Sequence, residues 1–217
     1  MSYTIDTSNI GAARRFLRGV QRAAQNASYR AVNRTAQQTR TQASRRIRQE
    51  VRLPARYVND NLKVVKRARR DDPTAIIRGR RRPTRLARFG AKPITKRAAG
   101  ARGDALRGIG AGRKAAGVSV NVGRTSGRSK MPGAFLIPLS SVRTNVFGGQ
   151  QRDRTGHMGV FVRTGSGRGA IRHLYGPSVD QLFNRLRRDL QAETTGLLSR
   201  EYERQLGVLM RREAGKL

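Results

Sequence analysis

The stretch His157-Met-Gly-Val-Phe-Val-Arg-Thr-Gly-Ser-Gly-Arg-Gly-Ala-Ile-Arg-His-Leu-Tyr-Gly-Pro-Ser-Val-Asp-Gln-Leu-Phe183 decides how this chain is read. Residues 158–163 are short and largely apolar, which predicts a strand. Glycines at 165, 167 and 169 predict a loop after it. Gly176-Pro177 predicts a turn. Ser178, with Gln181 three residues on, reads as a capping box, in which hydroxyl and amide each satisfy a backbone group at the start of a helix. Val179, Leu182, Phe183, Leu186, Leu190, Leu197, Leu198, Leu206 and Leu209 then hold an apolar face, and Gly196 and Gly207 are expected to bend or shorten that helix.

Upstream, residues 8–50 predict one long helix. Ile10, Ala13, Leu17, Val20, Ala24, Ala27 and Ala31 alternate three and four apart and so line one face with small residues. That seam suits either a partner helix in the same domain or one in another subunit. Ser8 or Thr7 can cap the helix, and Pro54 ends it by pushing its predecessor out of helical geometry. A short helical turn through Asn61 leads into strands near 63–68 and 74–78, joined by the turn residues Asp71-Asp72-Pro73. Further strands are expected near 117–122, 134–139 and 158–163, with their pairing open. Residues 79–130 hold few apolar side chains and read as mobile. The division is therefore 1–53 as the amino-terminal helix, 54–177 as a small β-rich core with basic loops, and 178–217 as the carboxy-terminal helix. The fold class is α+β, its small sheet mainly antiparallel.

Charge is the dominant feature of composition. Among 217 residues, 47 Lys and Arg face 13 Asp and Glu, a formal net charge of +34. Residues 178–217 carry eight basic and six acidic groups, an ordinary balance, whereas residues 52–130 carry 23 basic against four acidic. A basic run is commonly a solvated face. Sustained over this length with no acidic counterpart, it predicts a polyanion partner instead. The residues expected to face DNA are Arg78, Arg80, Arg81, Arg82, Arg85 and Arg88, then Lys92, Lys96, Arg97, Arg102 and Arg107, then Arg113, Lys114, Arg124, Arg128 and Lys130. Phe89 is the one aromatic residue between Tyr57 and Phe135, so stacking on single-stranded bases lacks its platform. Backbone contact with double-stranded DNA is the expectation, insensitive to sequence and weakened by salt.

The quoted stretch resembles the carboxy-terminal signature of the phage minor tail protein Z family, the tail-completion proteins of long-tailed phages. Ala31-Val-Asn-Arg-Thr-Ala36, Val51-Arg-Leu-Pro54, Arg88-Phe-Gly-Ala91, Gly117-Val-Ser-Val120 and Pro132-Gly-Ala-Phe135 are similar to family elements in the same order. The run from Ala98 to Gly117 departs from the pattern, being longer and richer in glycine. The resemblance implies a structural virion protein at the head-proximal end of the tail, assembled in the host cytoplasm. It also implies a homo-oligomeric ring, a hexamer for instance, that lines or caps the DNA channel beside tail-terminator, tail-tube or connector proteins. Phe161, Arg163, Leu174, Tyr175, Gly176, Pro177 and Ser178 are then the assembly residues. Two other readings fit the composition: a ribosomal or nucleoid type of nucleic-acid-binding protein, and a tail assembly chaperone.

No catalytic, cofactor or metal site is expected. The chain has no cysteine. His157 and His173 read as turn or packing residues; Asp153 and His157 would share a helical face, but Gly148-Gly149 argues against a helix there. Gly108-Ile-Gly-Ala-Gly112 and Gly165-Ser-Gly-Arg-Gly169 complete neither phosphate-binding fingerprint and read as flexible basic loops. Glu201 and Glu203, among Arg200 and Arg204, read as pairs on a helix surface. No secretion signal or membrane span is expected.

Overall fold

A computed structural model describes residues 8–139, 141–144, 150–153, 158–167 and 169–215. Its elements in chain order are helices α1 (Ser8–Glu50) and α2 (Ala55–Asn61), strands β1 (Leu62–Lys66), β2 (Ile76–Gly79) and β3 (Thr84–Arg85), a 3-10 turn (Leu86–Phe89), β4 (Lys92–Arg97), a second 3-10 turn (Ala105–Arg107), and β5 (Arg113–Val120). There follow β6 (Ser129–Met131), β7 (Ala134–Pro138), β8 (Ser141–Thr144), β9 (Gln150–Asp153), β10 (Met158–Arg163), β11 (Ile171–His173), β12 (Tyr175–Gly176) and helix α3 (Val179–Ala214). All described strand pairs are antiparallel. The fold is α+β, as the sequence predicts. Two compact units are present, one of residues 1–45, 59–79 and 183–217, the other of residues 46–58 and 80–182.

In the first unit α1 and α3 run antiparallel. Ala23 and Ala27 pack with Leu209, beside Tyr202, Leu206 and Met210. Further along, Glu201 of α3 lies 4.0 Å from the guanidinium of Arg34, and the hydroxyls of Thr39 and Thr194 are hydrogen-bonded at 3.2 Å. The buried stripe of α1 is Gly19, Ala23, Ala27, Ala31, Thr35, Thr39, Ala43 and Ile47, one residue in four. This differs from the seam expected on sequence. Among the described side chains only Ala27 and Ala31 are common to both, Leu17 is 65% exposed, and Ala24 is half-buried. A repeat of four overshoots the helical turn by about 40° each time, so the stripe winds around the helix. Its small residues bring successive neighbours close. The Asn33 amide exchanges two 2.9 Å hydrogen bonds with the backbone of Ala68, and Arg40 donates to the carbonyls of Leu62 and Asn59, both at 2.8 Å. Helix α1 thereby supplies partners for the backbone that enters β1 and for the connection that leaves it. Ser8 is already helical, and Thr7 lies outside the described residues.

Helix α3 starts at the expected capping box: the Ser178 N–H donates to Gln181 Oε1 at 2.9 Å and the Gln181 N–H to Ser178 Oγ at 3.1 Å. It runs through Gly196 and Gly207 as one helix. Glu201, expected on its surface, is buried. Its carboxylate accepts from Arg204 at 2.6 and 3.0 Å and from Gln205 at 2.9 Å. The Arg204 bonds hold the Glu201 carboxyl below the usual glutamate range, against the opposing effect of burial.

In the second unit β5 is the middle strand of β4-β5-β6 and β10 the middle strand of β11-β10-β7. Residues 79–130, mobile on the sequence reading, carry β3 to β6 and both 3-10 turns. Few apolar side chains are present, but those few are deeply placed: Phe89, Val118 and Val120 are buried together with Leu86 and Ile109. Leu136 and Val160, opposite one another on β7 and β10, complete the same core alongside Val179 and Leu182. Strand β5 bulges between Ile94 and Thr95 of its partner, where Gly117 takes a φ of 139° and passes close to the Met131 carbonyl.

Candidate nucleic-acid interface

The signature is built as a clasp. After β10 and β11 the chain crosses to β3, with Tyr175 opposite Arg85 and Gly176 opposite Thr84. The Leu86 N–H donates to the Leu174 carbonyl at 3.2 Å, and the Leu174 N–H donates to the Val160 carbonyl at 2.8 Å. Gly176 is a glycine for lack of room. A Cβ there would stand 2.5 Å from the buried ring of Phe89, and its φ is not positive. Thr84, fully buried, lies 3.3 Å from the Tyr57 hydroxyl, and the guanidinium of Arg88 sits 4.5 Å from the centroid of the Tyr57 ring. The Asp180 N–H reaches the Arg80 carbonyl at 3.3 Å. The clasp therefore joins the start of α3 to the segment that holds Arg80, Arg85 and Arg88.

One row of rings crosses the signature strands, an arrangement the sequence reading missed. Phe135 and Phe161 are 6.3 Å apart, Phe161 and His173 4.5 Å, and His173 and Tyr175 4.4 Å, while Arg163 lies 5.8 Å from the Phe135 centroid. Single strands carry one ring each, so only the pairing register reveals the row. His173 is a packing residue here. Burial, and then the charge of Arg85, push its imidazole below the usual histidine value, which favours the neutral ring. His157 lies outside the described residues, as do Gly148 and Gly149.

The basic residues fall into distinct settings. Lys96 stands directly opposite Lys114, and Arg97 opposite Arg113, across the β4–β5 ribbon. All four are exposed, and no acidic residue occurs in β4, β5 or β6. Lys92 and Lys130 stand on either side of Ser119, on β4 and β6. Like charges directly opposed on a ribbon destabilise it unless something screens them. Arg81, Arg82, Arg102 and Arg124 are exposed on connecting segments. Arg78 lies opposite Lys63 on the β1–β2 hairpin of the other unit. Several candidates besides Arg88 have work within the chain. Arg128 donates to the Gly90 carbonyl at 2.7 Å and the Ser119 carbonyl at 2.9 Å, Arg107 pairs with Asp104 at 3.2 Å, and Arg113 donates to the Thr95 hydroxyl at 2.7 Å.

Among the described residues no cluster of histidine and carboxylate side chains could hold a metal ion, and no helix is long and apolar enough to cross a membrane. No curated protein and no solved structure matches the chain. The family model for prophage minor tail protein Z, in contrast, matches residues 10–214. That span takes in both long helices, the cationic ribbon and the signature clasp, and so this chain belongs to the prophage minor tail protein Z family, structural components of the phage tail.

Proposed function

We propose that this chain completes the head-proximal end of a phage tail as a closed ring of like copies and turns its β4–β5 ribbon toward double-stranded DNA. The observation that carries the DNA part is the pair of like-charged rungs, Lys96 with Lys114 and Arg97 with Arg113. An isolated ribbon gains nothing from that arrangement. A phosphate backbone along it converts repulsion into attraction. Six copies would bring a charge on the order of +200, which calls for DNA or acidic ring neighbours at close range. Tail-terminator, tail-tube or connector proteins are the neighbours proposed.

Duplex binding by the purified protein should be independent of sequence and should fall by roughly a thousandfold or more between 50 and 200 mM salt. Binding that is insensitive to salt, or confined to one sequence, would count against a backbone-facing ribbon. A reconstruction of the head–tail junction tests the position. Density for the protein at the distal tail end would overturn the completion role, and absence from purified virions would favour an assembly chaperone.

A further inference from the structure

The loop between β4 and β5, expected from the sequence to depart from the family pattern, is closed by hydrogen bonds of its own. Its neck closes where the Ala98 N–H donates to the Gly112 carbonyl at 2.9 Å and the Gly112 N–H to the Ala101 carbonyl at 2.8 Å. Inside, Asp104 and Ile109 exchange backbone hydrogen bonds of 2.7 and 2.9 Å. Ile109 is buried as the loop's anchor. Gly103, at a φ of 75°, lets the backbone of Gly110 pass where a Cβ would stand 2.6 Å away. Asp104 caps the 3-10 turn through the Arg107 N–H at 3.2 Å, and the turn lies beside β7.

On this mount Leu106 is 63% exposed, in the same loop as Arg102 and Arg107. The neck of the loop begins at the Arg97–Arg113 rung. A lone exposed leucine is ordinary on a protein surface. This one is held out by a hydrogen-bonded turn in which Asp104 pairs with Arg107, beside the exposed Arg102 and the cationic ribbon, and the loop's apolar anchor is already supplied by Ile109. Cations that track phosphates around a rigid apolar side chain match the chemistry of proteins that prise open a base step from the minor groove.

We propose that Leu106 is an apolar wedge that enters a base step of duplex DNA held by the β4–β5 ribbon. The inference rests on the DNA-facing reading of that ribbon and adds what its loop does there. Insertion partly unstacks one step and kinks the duplex, which resists sliding of the DNA past the protein.

The test uses the full chain and a short duplex with 2-aminopurine at several interior positions, whose fluorescence rises on unstacking. The wild-type protein should raise it. Leu106→Ala should abolish the rise and weaken binding by about tenfold, the scale of burying one leucine side chain. Leu106→Phe, which keeps an apolar wedge at an exposed position, should retain the signal. Salt-sensitive binding with no rise, or with an equal rise in Leu106→Ala, overturns the wedge and leaves the ribbon reading standing. Absence of salt-sensitive duplex binding in the wild type sinks both.

Discussion

Gly176 shows what a single atom costs in this protein. A methyl group there meets the fully buried Phe89 ring at 2.5 Å, so Gly176→Ala should destabilise by about 1–3 kcal/mol through overpacking. Ser178→Ala, which loses one cap bond, should cost about 1 kcal/mol. Thermal or denaturant unfolding of the two variants checks both the sizes and their cause: if Phe89→Leu relieves Gly176→Ala, the clash is with that ring. The capping box was legible because its partners are three residues apart. The reason for Gly176 was not, since Phe89 meets it only after the sheet forms. Glu201 makes a second case. Its pKa is lowered in the fold, mainly by Arg204, so its stabilising effect is present above the ordinary glutamate value and is lost as pH falls through the lowered one. Glu201→Gln should flatten the acid side of the stability profile. An unchanged profile would mean that the ionised Glu201 contributes nothing to stability.

At the scale of elements, α1 was legible as a helix but not in its facing. Alanines at 23 and 24 satisfy two periodicities equally well, and only the neighbours select Ala23. A seam chosen by local spacing therefore drifted from the winding stripe that the structure uses. Ala27→Leu should overpack the contact with Leu209 and destabilise by about 1–3 kcal/mol, whereas Leu17→Ala, at an exposed position, should stay within about 0.5 kcal/mol. Equal effects at both sites would show that residue 17 is covered in solution. Strand β10 begins and ends where the sequence places it, because its apolar run is bounded by glycine.

For the molecule as a whole, composition announces the charge but not which residues of the second unit are buried. Residues 79–130 contain too few apolar side chains to announce a core, yet Phe89, Ile109, Val118 and Val120 are buried. The missing apolar surface comes from β7, β10 and the start of α3. Hydrogen exchange on the dilute protein should accordingly find slow amides at Val118 and Val120, with faster exchange across 98–112 than in β5. Uniformly fast exchange across 84–131 would mean that this unit orders only in the assembled tail. Family membership was legible from the signature, whereas the like-charged rungs needed the pairing register.

The clasp of β12 on β3 also has a bearing on synthesis. Thr84 and Arg85 leave the ribosome long before Gly176 and Tyr175, their partners, and α1 waits for α3 in the same way. Closure of each unit depends on pairings between early and late parts of the chain, an order that slows folding and keeps nascent surfaces uncovered. A nonsense codon ahead of β12 would then leave both units without the pairings that close them.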